Sequence, residues 1–249
     1  MIAFGTQSQA AARRRAIPSM GVTFVKAEWM DSGEDPVLSP TVSLIEQPAG
    51  FEFMPHFHRN NQFQVFVGGS GAIGAHPLAP VVVHYAGAYT GYGPLVAGPQ
   101  GIQYFTMRTV AEAGFIPVAE YREKMIRGPK RHAQSQQIEV RDVEAMSRLR
   151  EIEDGFVISL GDDGMGARLL RIPAGRTLDV EHPPGCQGQF IFVLAGAVEV
   201  AGRQLSRWEQ LYATRDEPIA GLRATEGGAQ MLCLGVPPQA DPYRAKAST

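Results

Sequence analysis

Short runs of β-branched and aromatic residues, broken every few positions by Gly, Pro or Asn, recur along most of the chain. Examples are Val42-Ser-Leu-Ile-Glu, Phe63-Gln-Val-Phe-Val, Val81-Val-Val-His-Tyr, Phe190-Ile-Phe-Val-Leu and Met231-Leu-Cys-Leu. Brief strands separated by tight turns predict an all-β sandwich or barrel. One interval differs. From about Val110 to Glu153 the chain becomes charged, and Ala119-Glu-Tyr-Arg-Glu-Lys-Met-Ile-Arg and Val140-Arg-Asp-Val-Glu-Ala-Met-Ser-Arg-Leu-Arg-Glu-Ile carry apolar residues at helical spacing. The pattern predicts an N-terminal arm over 1–40, a β unit over 41–110, a partly helical connector over 111–154 and a second β unit over 155–249.

The two β units share a register. Pro48-Ala49-Gly50 recurs as Pro173-Ala174-Gly175, Gln62-x-Gln64 as Gln187-x-Gln189, and Gly71-Ala72-Ile73 as Gly196-Ala197-Val198, all at an offset of 125 residues. Three matches in one register, each at a strand-turn junction, suggest two copies of one unit.

Residues 60–107 contain no Asp, Glu, Lys or Arg. Strands buried on both faces would produce that, and so would a face covered by a second copy of the chain, so a homodimer is expected. Elsewhere the charges nearly cancel: 23 Lys and Arg against 25 Asp and Glu give a net charge of −2, which excludes the basic excess that nucleic acid selects. No run of about 18 apolar residues and no secretory signal is evident, and only Cys186 and Cys233 are available for thiol chemistry. A cytoplasmic protein without a membrane or nucleic-acid partner is the expectation.

The sharpest chemical signal is His56-Phe57-His58, because a two-residue spacing on a strand puts both imidazoles on one face, where they can chelate one metal. By the same alternation Gln62, Gln64 and Phe66 share a face, while Phe63, Val65 and Val67 take the other.

Gly50-x5-His56-x-His58-x3-Gln62-x6-Gly69 resembles the first sequence motif of the cupin superfamily in every spacing. Gln62 stands where that family usually has a metal-binding Glu. Gly93-x5-Pro99-x-Gly101-x2-Tyr104 is similar to the second motif, with Tyr104 in place of the usual third ligand histidine and Arg108 in place of the closing Asn. Together with the repeat, the resemblance implies a bicupin: two tandem cupin (double-stranded β-helix, jelly-roll) barrels joined by the partly helical connector. It also implies one divalent transition metal (zinc, nickel, iron or manganese) held by His56, His58 and Gln62. Tyr104 would then be a phenolate ligand or an acid–base group, and Gln64, Phe66 and His84 would line the pocket. Gln64 is an alternative occupant of the Glu position, and His84 an alternative third ligand. The second copy has lost the histidine pair: Glu181, His182 and Pro183 stand near those positions, so a structural role is expected for it.

Two readings follow. In one, a metal-dependent enzyme of the dioxygenase, isomerase or lyase type acts on a small organic molecule. In the other, a metal-free bicupin binds or senses a small-molecule ligand, its His56–His58 pair held by the amide of Gln62 and the phenol of Tyr104.

Overall fold

The computed structural model describes residues 1–19, 21–112 and 114–244; the last five residues of the second expected barrel lie outside the described residues. Two compact units are present. One comprises residues 10–138 together with 239–244, and the other Met1–Gln9 with Glu139–Pro238. Among the described residues no helix is long and apolar enough to cross a membrane.

The unit holding the histidine pair is built on one antiparallel sheet with the strand order His132–Gln134, Val82–Ala86, Gln62–Ile73, Leu95–Arg108, Thr41–Gln47, Val22–Asp31, Arg14–Ser19. Its two long central strands pair with each other, and both faces of that pair are buried. Phe66, Ile102 and Tyr104 enter one apolar cluster, while Phe63 on the opposite face packs its ring 4.9 Å from that of Tyr85. Burial on both faces accounts for the lack of charge along the buried parts of these strands.

The second unit orders its strands Ile2–Gly5, Gln210–Thr214, Gly188–Val200, Ile219–Val236, Gly166–Ile172, Glu153–Ile158. Residues 1–40 are therefore not an arm. Ile2–Gly5 pairs with Gln210–Thr214 in this unit, whereas Arg14–Ser19 and Val22–Asp31 extend the other sheet. The connector has two short α-helices, Val118–Tyr121 and Val143–Ser147, and a 3-10 turn, Arg122–Lys124; the second α-helix is capped by the Asp142 carboxylate accepting from Ala145 N–H at 2.8 Å. It also supplies strands, since His132–Gln134 joins the first sheet and Ile116–Pro117 pairs with His56–Phe57.

Strand register identifies which residues correspond in the two units. In the first, Gly69 faces Ile102, and a bulge separates Gly68/Gln103 from Phe66/Tyr104. In the second, Gly196 faces Ala229, and the same bulge separates Ala195/Gln230 from Val193/Met231. Every position in these ladders is displaced by 127 residues, from Gly69 to Gly196 and from Tyr104 to Met231. The outer-face pair obeys the same displacement, because Phe190 and Tyr212 lie 4.8 Å apart as Phe63 and Tyr85 do. Gln47 and Ile172, by contrast, are displaced by 125, as are Gly50 and Gly175. Two extra residues thus enter the second unit after Gly175. The single offset of 125 is corrected accordingly: Gln62 corresponds to Gln189, not Gln187, and Gln64 corresponds to Ile191.

The consequence is chemical. Gln47, Gln64, His84 and Tyr104 correspond to Ile172, Ile191, Leu211 and Met231, all four within the apolar cluster of the second unit. At these four positions the second unit is apolar where the first is polar.

At the shared bulge, Gly69 and Gly196 have φ of +68° and +71°, and a Cβ at either would collide with the carbonyl oxygen of Gly101 or Gly228. Gly69→Ala and Gly196→Ala are each expected to destabilise their unit by about 1–3 kcal/mol in denaturant unfolding. Gly227→Ala, which meets no atom within 4 Å, is the matched control and should shift the midpoint far less.

Candidate functional site in the first unit

His56 lies on the two-residue strand His56–Phe57 and is fixed to Tyr92 by reciprocal backbone hydrogen bonds of 3.0 Å. Its Nδ1–H donates to the Met54 carbonyl at 2.8 Å, which places the proton on Nδ1 and leaves the Nε2 lone pair facing elsewhere. The imidazoles of His56 and His58 share a face, their rings 5.4 Å apart, while Phe57 between them turns away to pack on Tyr89 at 5.9 Å. Both histidines are buried.

Tyr92 organises the cluster. Its ring lies 4.6 Å from that of His56, 6.3 Å from His58 and 5.2 Å from His84, and its hydroxyl accepts from Gln62 Nε2 at 2.9 Å. Gln62 Oε1 is buried with no hydrogen-bond partner. Gln64 is committed differently, with Oε1 accepting from His84 Nδ1 at 2.9 Å. Of the two glutamines weighed for the carboxylate position, Gln62 is the one with a free oxygen.

Tyr104 receives Gln47 Nε2–H on its hydroxyl at 2.9 Å and lies 5.1 Å from the Phe66 ring. Burial, reinforced by the neighbouring Tyr92, raises its pKa far above the ordinary phenol value, so it keeps its proton near neutral pH. In the metal-free chain Tyr104 is therefore a protonated phenol. Burial likewise raises Tyr92. It lowers His56 to about 4 and His84 to about 3, and it holds His58 well below the usual imidazole range, where Arg108 adds to the effect. All three imidazoles are neutral at pH 7.

The sequence reading gave no site role to a charged residue that stands against His58. Arg108 Nη2 lies 3.3 Å from both ring nitrogens of His58, and Arg108 Nε is buried without a partner. An atom equidistant from the two nitrogens lies along neither lone pair, so the guanidinium crowds the ring without taking up its acceptor direction. Burial lowers the Arg108 pKa, and Glu112 opposes that shift. The Glu112 carboxylate also stands 3.8 Å from His58 Nδ1 and accepts from the backbone N–H of Arg59 at 2.9 Å. Arg108 and Glu112 both face a cleft of about 1520 Å³ whose walls include Arg59, Tyr89 and Ser43. The available signal was that these are the first two charges after the uncharged interval.

A divalent metal can be tested against these atoms. His56 Nε2, a nitrogen of His58 and the unpartnered Gln62 Oε1 are free to ligate, and a tied Nδ1–H is the usual outer support of a ligating imidazole. The donors are all neutral and a guanidinium stands beside one of them, so the set fits a weakly held ion. No group of three or more His, Cys, Asp or Glu that could hold a metal occurs among the described residues.

The Gln64–His84 pair generates a stability prediction. His84→Leu alone strands a buried amide oxygen and should cost about 1–3 kcal/mol, whereas Gln64→Ile with His84→Leu copies Ile191 and Leu211 and should recover most of that loss. His84 is neutral when folded and charges near pH 6.5 when unfolded. Its contribution is present above about 6.5 and is lost as pH falls toward about 3. Urea unfolding at pH 7 and pH 5 should show a shallower pH dependence in the double variant than in the parent.

No family model and no curated protein matches the chain. Solved structures do. A dioxygenase-named structure from Nostoc punctiforme superposes with a TM-score of 0.56 at 13% identity, covering 94% of this chain and 78% of the other. A bacterial pirin from Escherichia coli in complex with nickel(II) gives 0.55 at 15% identity over 96% and 100% of the two chains. Streptomyces albus HEPD with 2-hydroxyethylphosphonate and Fe(II) bound gives 0.54 at 11% identity over 100% and 79%. At these identities the likeness concerns backbone architecture, and with the antiparallel sheets described above it establishes that the chain has the cupin fold.

Proposed function

We propose that the first unit binds a small organic acid, whose carboxylate is received by Arg108 at the inner end of the cleft. The observation that carries this reading is the buried, unpartnered Nε of Arg108 on a guanidinium that also faces the cleft. A carboxylate arriving there gains charge-assisted hydrogen bonds where water is scarce. The ligand would then meet a donor–acceptor surface that is neutral at pH 7: the His56 and His58 imidazoles and the protonated Tyr92 hydroxyl. Aromatic side chains flank them, with Phe115 5.0 Å and Tyr92 4.6 Å from the His56 ring, which suits an unsaturated or aromatic acid. In this reading the guanidinium supplies the positive charge, and a metal is not required for binding.

A second reading is favoured by the buried, unpartnered Gln62 Oε1. It makes the same site a metal-dependent enzyme of the dioxygenase, isomerase or lyase type, with a divalent ion held by His56, His58 and Gln62. When bound, the ion would supply a Lewis-acid charge beside the acid already held by Arg108.

Calorimetric titration with benzoate and succinate against the neutral isostere benzamide tests the first reading. Arg108→Met should weaken benzoate binding roughly 10- to 100-fold and leave benzamide unaffected, and Arg108→Lys should restore part of the loss. Benzoate binding unchanged by Arg108→Met, or no preference for the acid over the amide, would refute it.

Elemental analysis of untagged protein tests the second. Stoichiometric metal that disappears in a His56→Ala, His58→Ala variant would support a metal enzyme, and chelator-treated protein should still bind benzoate if the guanidinium alone suffices.

A further inference from the structure

The second unit replaced four polar interior positions with aliphatic side chains but kept one, because Gln189 corresponds to Gln62 and is fully buried. Its Nε2–H donates to the Glu181 carbonyl at 3.1 Å. Gln189 forms part of the wall of a cavity of about 110 Å³ that Phe156, Leu160, Arg168, His182 and Cys233 also line.

Two of those side chains bring polar atoms that are buried and unpartnered. His182 Nε2 lies 2.8 Å from the Glu217 carbonyl, which can only accept. Nε2 therefore carries a proton, and in that tautomer Nδ1 is an acceptor without a partner. Arg168 Nε forms an ion pair with Asp154 Oδ1 at 3.3 Å and the guanidinium also reaches the Cys233 thiol, but the Nε–H makes no hydrogen bond. Phe156 and Leu160 at the same cavity are 50% and 40% exposed, large apolar side chains left open to solvent. A buried donor and a buried acceptor without partners each cost stability, and one small guest that accepts at one atom and donates at the next would satisfy both.

We propose that this cavity is a second binding site, independent of the cleft at Arg108, and that it takes a small primary carboxamide with a short apolar tail. The amide oxygen accepts from Arg168 Nε, the amide N–H donates to His182 Nδ1, and the tail covers Phe156 and Leu160. A carboxylate matches less well. It has no proton for His182 Nδ1, and the Asp154 and Glu181 carboxylates are close to the guanidinium and the cavity wall. The cavity has room for a guest of a few heavy atoms, so affinity for the amide alone will be modest.

The test is a two-dimensional amide NMR titration of the full chain with propionamide, and with propionate as the charged comparison. Propionamide should give saturable shifts at Gly166, Gln189 and Cys233, with propionate at least tenfold weaker. Arg168→Met and His182→Phe should each weaken propionamide at least tenfold, and Arg108→Met should leave it unchanged. Two substitutions on different segments guard against misfolding of either one, and the unperturbed spectrum of each reports its fold. The absence of saturable shifts at those amides would overturn the proposal, as would shifts unaltered in both folded variants or tighter binding of propionate.

Discussion

The first unit holds a guanidinium against a buried imidazole at the wall of a wide cleft. Arg108 lies 3.3 Å from the ring nitrogens of His58, and that single charge affects everything around it. It helps to keep His58 neutral, it is countered by Glu112, and it stands where an incoming anion would gain most. Water screens such a charge poorly here, so the identity of whatever shares the space with it decides the chemistry.

The two units show how little of a fold is tied to its interior chemistry. The bulge at Gly69 and Gly196, the outer aromatic pairs and the order of the central strands are the same, because they satisfy backbone geometry and outer-face packing. Inside, Gln64 and His84 satisfy each other by a hydrogen bond, whereas Ile191 and Leu211 need only contact. Exchanging both members of a bonded pair for hydrocarbon leaves no orphaned atom, which is how one copy could lose its polar interior without losing the architecture. Gln189 remains polar, and it borders a cavity whose wall also includes Arg168 and His182, each with an unpartnered polar atom.

Period-two alternation correctly placed His56 and His58 on one face with Phe57 turned away, and it separated Gln62, Gln64 and Phe66 from Phe63 and Val65. Those assignments need only strand geometry, which is local. The same reading missed Arg108 and Glu112. Arg108 ends a strand that belongs to the motif, and Glu112 lies in what reads as a connector, but their approach to His58 depends on how strands Leu95–Arg108 and His56–Phe57 are brought together. The repeat was legible and its offset was not, because two residues were added in one copy between segments that each remain in register.

By itself, then, the order of amino acids determined the β character, the motif spacings and the facing of the histidine pair, all of which follow from short-range periodicity and turn chemistry. Tertiary structure decided which glutamine has a free oxygen, that residues 1–40 are divided between two sheets, and that both the Arg108 guanidinium and the Glu112 carboxylate stand beside His58. Those outcomes depend on burial and on contacts between residues well separated along the chain, 20 positions for Gln64 and His84 and 50 for His58 and Arg108. Desolvation and long-range pairing act through space, and no local pattern carries them.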